Sequence, residues 1–173
     1  FALRDADPPH VSGVVRTGTY SLVQADPGAA WDLTSTTCDD GSPADAIVLA
    51  PGETVTCTFA NTKRGAIYID QVTLPRGDPE SFSFSLTGGP DDTDQAVGLR
   101  DLDPAADSGL LRPGSYAIAQ TDVGGAWDLT SAICDDGSPV GAVELGPGET
   151  LVAGTGLAEV AVSFTTGCYP GQE

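Results

Sequence analysis

The chain has 173 residues, with 25 acidic against 7 basic side chains (net charge −18), 22 Gly, 13 Pro, 4 Cys, one His and no Met. A surface of this sign repels nucleic-acid backbones and anionic membranes, the lone His10 offers no metal-ligand cluster, and no apolar run is long enough to span a bilayer. Short runs of Val, Thr, Leu and Ile between Gly and Pro point to strands joined by turns. The acidity itself reads first as a solubilising coat, with divalent-cation binding or adaptation to salt as alternatives.

In chain order, Leu-Arg-Asp-x-Asp-Pro at Leu3–Pro8 suits a structural salt bridge from Arg4 to a neighbouring Asp. Gly18–Pro43 reads GTYSLVQADPGAAWDLTSTTCDDGSP, with Tyr20 at a turn-to-strand junction, Trp31 in an apolar strand pattern and Asp39-Asp40-Gly41 as a turn. Glu53–Asn61 alternates with Val55, Cys57, Phe59 and Asn61 on one face. Ala66–Asp70 and Ser81–Leu86 are two further strands, Ile67 and Ile69 sharing one face and Phe82, Phe84 and Leu86 another. After the acidic turn Gly88–Asp94, a short strand covers Val97–Asp101. Gly114–Pro139 then reads GSYAIAQTDVGGAWDLTSAICDDGSP, a weaker strand covers Val140–Leu145, and Ala158–Thr166 alternates with Val160, Val162 and Phe164.

Trp31 to Trp127 is a separation of 127 − 31 = 96, and from Leu3/Leu99 to Thr54/Thr150 the ungapped match has 31 identities in 52 pairs. Such a period marks a tandem duplication. The expected organisation is all-β: two tandem antiparallel β-sandwiches, 1–64 and 65–173. The first lacks the counterparts of Ala66–Ala96, hence its two N-terminal strands. The identities fade after Thr150. Matching Phe59 to Phe164, a separation of 164 − 59 = 105, implies about nine inserted residues around a Gly154-Thr155-Gly156 hinge.

Tyr20, Trp31, Phe59, Tyr116, Trp127 and Phe164 are the expected core anchors, and a sugar-stacking role for the two Trp residues is the weaker reading. Four cysteines fit an oxidising compartment. One disulfide per module, Cys38–Cys57 and Cys134–Cys168, is the favoured pairing, with an intermolecular bond from the second pair as the alternative. Calcium is a weak option at Asp39, Asp40, Asp135 and Asp136, or at Asp91, Asp92 and Asp94, because no EF-hand or nonapeptide spacing is present. No cofactor is expected. No His or Lys is spaced to activate a Ser or Thr, so enzyme activity is not expected. The absence of an initiator Met and of a signal peptide suggests a mature or trimmed product.

The combination of Tyr, Trp-Asp-Leu-Thr-Ser, Cys-Asp-Asp-Gly and Gly52-Glu-Thr-Val-Thr-Cys-Thr-Phe-Ala-Asn-Thr-Lys-Arg-Gly65 resembles the bacterial prealbumin-like repeats of secreted surface proteins, relatives of Cna-B and SpaA-type domains. The resemblance implies a seven-stranded, transthyretin-like sandwich and an extracellular structural role. Many Cna-B domains join a first-strand Lys to a last-strand Asn beside a Glu. Here the Glu position holds Gln24 and Gln120, the Lys position near Asp70 or Gln71 has no Lys, and the Asn position matches Asn61 in the first module and Thr166 in the second. No isopeptide bond is therefore expected.

The expected function is that of a structural subunit of an extracellular filament, pilus or stalk. It would form a head-to-tail homopolymer by β-strand addition to the incomplete first module, with the tail carrying Val160, Val162 and Phe164 as candidate donor. An upstream segment completing that module is the plainer explanation of the gap. An adhesin or carbohydrate-binding spacer is the alternative function. O-linked sugars on Ser and Thr fit a secreted, cell-surface protein, and no Asn-x-Ser/Thr sequon exists.

Overall fold

A computed structural model describes residues 1–121 and 123–159. The chain forms two compact units, Phe1–Thr62 and Lys63–Glu173. Every regular element among the described residues is a strand, and none of them forms a helix long and apolar enough to cross a membrane.

The first unit contains β1 (Gly18–Tyr20), β2 (Trp31–Cys38), β3 (Ile47–Leu49) and β4 (Cys57–Lys63), the last reaching the unit boundary. Among the described residues they pair as β1–β3 and β2–β4, two sheets of two strands. Two-stranded sheets of this kind are marginal alone, and Cys38 and Ile47 are the buried hydrophobic residues of this unit.

The second unit contains β5 (Ala66–Leu74), β6 (Phe82–Gly88), β7 (Thr93–Leu99), β8 (Ala106–Asp107), β9 (Gly114–Gln120), β10 (Trp127–Cys134), β11 (Val143–Leu145) and β12 (Thr150–Glu159). They form two four-stranded sheets, ordered β10-β12-β5-β8 and β11-β9-β6-β7. Alternation explains the core: Ile67 and Ile69 from β5 meet Phe82, Phe84 and Leu86 from β6 and Ile118 from β9. β12 lies between β10, antiparallel, and β5, parallel, with Thr150 opposite Ala66 and Ala158 opposite Leu74. The second unit is thus all-β and sandwich-like, as the sequence leads one to expect.

The strands keep the 96-residue spacing of the sequence. β2 and β10 have the same bounds at that offset, as do β3 and β11. Tyr20 pairs with Ile47 as Tyr116 pairs with Val143.

The spacing also continues where the sequence reading inserted nine residues. The Asp39 amide donates to the Thr56 carbonyl and Thr56 donates back to Asp39 Oδ1; Asp135 and Val152 repeat the same exchange. Residue 56 thus corresponds to 152, Cys57 to Ala153, Phe59 to Thr155 and Asn61 to Leu157, and no insertion is needed. Gly154-Thr155-Gly156 is not a hinge: it lies mid-strand in β12, with Gly154 opposite both Ile133 and Asp70. Glycine fits here because a Cβ on Gly156 would sit 2.6 Å from Ser131 Oγ and 3.0 Å from Thr130 Oγ1. Val160, Val162, Phe164, Thr166 and Cys168 lie outside the described residues.

Candidate functional site

The two Trp residues occupy equal strand positions and meet different surroundings. Trp127 is 5% exposed, its ring edge-on to Phe82 at 5.4 Å and 88°, and its Nε1 donates to Glu80 Oε2 at 2.8 Å. Both contacts come from β6 or the residues leading into it. Among the described residues the first unit has no strand in the places of β5 and β6, and Trp31 is 43% exposed. Tyr116 and Tyr20 diverge in the same way, at 3% and 37% exposed. Each Tyr hydroxyl nonetheless donates to the carbonyl four residues earlier, Arg112 at 2.7 Å and Arg16 at 2.5 Å. Local geometry is conserved between the units while burial is not. Tyr20 and Trp31, expected as core anchors, are exposed, and no strand among the described residues covers them; Phe59 is half-buried on β4.

An open side results. Leu22, Val23, Trp31 and Leu33 are exposed, and among the described residues β4 is paired with β2 alone, with no described strand on the edge that corresponds to the one β12 gives to β5. An apolar face beside an unpaired strand edge is the physical form of a β-addition site.

The positions assigned by resemblance to an amide cross-link hold neutral groups. Gln24 Nε2 donates to Asn61 Oδ1 at 2.7 Å. In the second unit Gln71 and Thr155 are buried, Thr155 Oγ1 donates to Gln71 Oε1 at 2.7 Å, and Gln120 Nε2 approaches the same oxygen at 3.4 Å. Thr155 was missed from sequence because a lone Thr between two glycines carries no apolar signal.

The acidic turns are occupied by their own backbone. Asp40 and Asp136 accept from the amides of Ser42 and Ser138, each at 2.9 Å; hydrogen bonds from these serines hold both carboxyls below the usual carboxylate range. Asp91 pairs with Arg112 at 2.8 Å. Among the described residues no group of three or more His, Cys, Asp or Glu is placed to hold a metal.

The Leu-Arg-Asp-x-Asp-Pro motif works through backbone rather than the expected Arg4 bridge. Asp7 and Asp103 accept from the amides of Arg4 and Arg100, at 2.7 and 2.9 Å. Asp101 is buried and accepts from the amides of Thr73 at 2.8 Å and Gly77 at 2.5 Å, with Arg76 Nε 3.5 Å away. The Gly77 and Thr73 hydrogen bonds, helped by Arg76, hold its carboxyl below the ordinary value. It thereby clamps the β5–β6 connection. Its counterpart Asp5 is exposed.

Cys38 and Cys57 form a disulfide tying β2 to β4. Cys134 is a buried free cysteine among the described residues, because Ala153 stands opposite it where Cys57 would be. Burial pushes its thiol pKa up.

The family model of the SpaA-type prealbumin-like fold domain matches residues 4–59. The chain is similar to the major pilin protein T-13 of Streptococcus pyogenes, with 13% identity and a TM-score of 0.40 over 84% of this chain and 68% of that one. It is also similar to another major pilin structure from Streptococcus pyogenes, with 11% identity and a TM-score of 0.37 over 84% and 72% of the respective chains. No curated protein matches it.

Proposed function

We propose that the chain is a non-enzymatic structural subunit of an extracellular surface filament or stalk, in which a neighbouring copy completes the open first unit by adding β-strand. One observation carries this reading: equal strand positions are buried in the second unit and exposed in the first, as Trp127 and Trp31 show at 5% and 43%. Leaving such a side in water forfeits about 25 cal/mol for each Å² of apolar surface that a partner would cover. A copy seated on one end leaves its own open unit free, so the contact is heterologous and propagates. The Cys38–Cys57 disulfide suits an oxidising, extracellular setting.

Negative-stain electron microscopy of the purified chain across a concentration series tests the proposal. Long fibres of uniform width are expected. A stable monomer at every concentration contradicts it.

A further inference from the structure

We infer that Asp5, Arg16 and Trp31 are the groups by which the first unit recognises its partner, and that this partner is a second copy presenting carboxylates to Trp31 Nε1 and Arg16 and main-chain amides to Asp5. The inference rests on the strand-addition reading above and adds the recognition chemistry of the contact.

The template is internal. At the offset of 96, Asp5, Arg16 and Trp31 correspond to Asp101, Arg112 and Trp127, the same residue type in each pair. In the second unit all three reach into one stretch, residues 73–91. Asp101 accepts from the amides of Thr73 and Gly77, Trp127 Nε1 donates to Glu80 Oε2 at 2.8 Å, and Arg112 Nη1 pairs with Asp91 Oδ1 at 2.8 Å. One contact holds the β5–β6 connection, one the residues leading into β6, and one the turn after it. Together they fix β6 at both ends.

Residues 1–64 contain no counterpart of 73–91, and Asp5, Arg16 and Trp31 are exposed. Contacts with both ends inside the repeated part are made in both units. The Tyr20 and Tyr116 hydroxyls each donate to the carbonyl four residues earlier, Asp7 and Asp103 accept from the amides of Arg4 and Arg100, and Asp39 and Asp135 accept from Thr56 and Val152. The contacts that end in 73–91 are found, among the described residues, in the second unit. The first unit thus retains an acceptor for amides and two donors for carboxylates at the positions from which a β6-like strand is held.

Charge selects the second copy. Trp31 Nε1 and Arg16 both complement carboxylates, and a chain with 25 acidic against 7 basic residues supplies them freely. Each such pairing offsets part of the repulsion between two copies of net charge −18. Asp5 is acidic itself, and main-chain amides of an added strand or turn serve it without a basic side chain.

The test uses the full chain and reads the concentration needed for half-assembly by light scattering, with fibres confirmed by electron microscopy. The three side chains are exposed, so replacing them leaves the unassembled fold intact. Trp31→Phe, which keeps a ring and removes the N–H, and Asp5→Ala should each raise the half-assembly concentration about tenfold. Arg16→Ala should raise it about two- to fivefold, as loss of an exposed ion pair does. Arg4→Ala removes the same charge from the same unit and should assemble close to the parent chain. A Trp31→Phe or Asp5→Ala chain that assembles as the parent does, or an Arg4→Ala chain impaired as much as Arg16→Ala, would overturn the recognition chemistry while leaving the filament reading intact. A parent chain that never assembles would overturn both.

Discussion

Asp101 keeps a carboxylate inside the second unit because two backbone amides and Arg76 compensate its desolvation. Its folded pKa lies below the ordinary value, so the folded state binds the proton more weakly than the unfolded state. The stabilisation is fully present above the unfolded carboxylate value, about 3.9, and is lost as pH falls through the lower folded value. Asp101→Asn should therefore lower the melting temperature at neutral pH and flatten its acid decline below about pH 4, measured by thermal denaturation across pH. An unchanged acid limb would remove Asp101 from that role. The Cys38–Cys57 bond closes a sequence separation of 19, worth about 3 kcal/mol on loop-closure grounds. Cys38→Ala with Cys57→Ala should cost the first unit about that much in denaturant unfolding. The same pair was readable from sequence because both half-cystines sit on alternating strands within one module.

β12 shows where legibility ended. The strands β2, β10, β3 and β11 fall within the ungapped repeat at an offset of 96, although the strand expected over Val140–Leu145 begins at Val143 and none was expected at Ile47–Leu49. Beyond Thr150 the offset persists but the residues change: Ala153 for Cys57, Thr155 for Phe59, Leu157 for Asn61. Glycine is poorly suited to strands in general, so Gly154 and Gly156 read as a break, and the cleaner alternation of Val160, Val162 and Phe164 drew the alignment onward. Packing decided otherwise, because the side chains of Ser131 and Thr130 fill the space above Gly156 and Thr130 Oγ1 donates to the Gly156 carbonyl at 2.8 Å. Leu157→Ala checks this register by denaturant unfolding, and Gly89→Ala checks the packing around the Tyr116 ring. Leu157→Ala empties a fully buried position and should cost about 2–5 kcal/mol. Gly89→Ala would set a Cβ about 2.3 Å from the Tyr116 ring at a positive φ, a clash costing about 1–3 kcal/mol. A Leu157→Ala chain as stable as the parent would reopen the nine-residue insertion.

At the scale of the molecule, the two units share strand positions, turns and Tyr hydroxyl contacts, yet among the described residues the extended buried cluster lies in the second unit. The repeat showed which strands of the second unit have no counterpart in residues 1–64; the exposure of Trp31 was not readable, because it depends on which described strands pack against it in space. In a Trp127→Phe variant, Trp31 is the only remaining Trp. Its emission should lie toward the red in dilute protein and move to the blue on assembly, and an unmoved emission would show that the neighbour leaves it uncovered. Hydrogen–deuterium exchange at the β4 amides bears most directly on strand addition to the first unit. With β2 the one described neighbour of β4, the amides of 55–61 that point to the opposite edge should exchange quickly in dilute chain and become protected in fibres. Fibres in which those amides still exchange as quickly as in dilute protein would contradict the account.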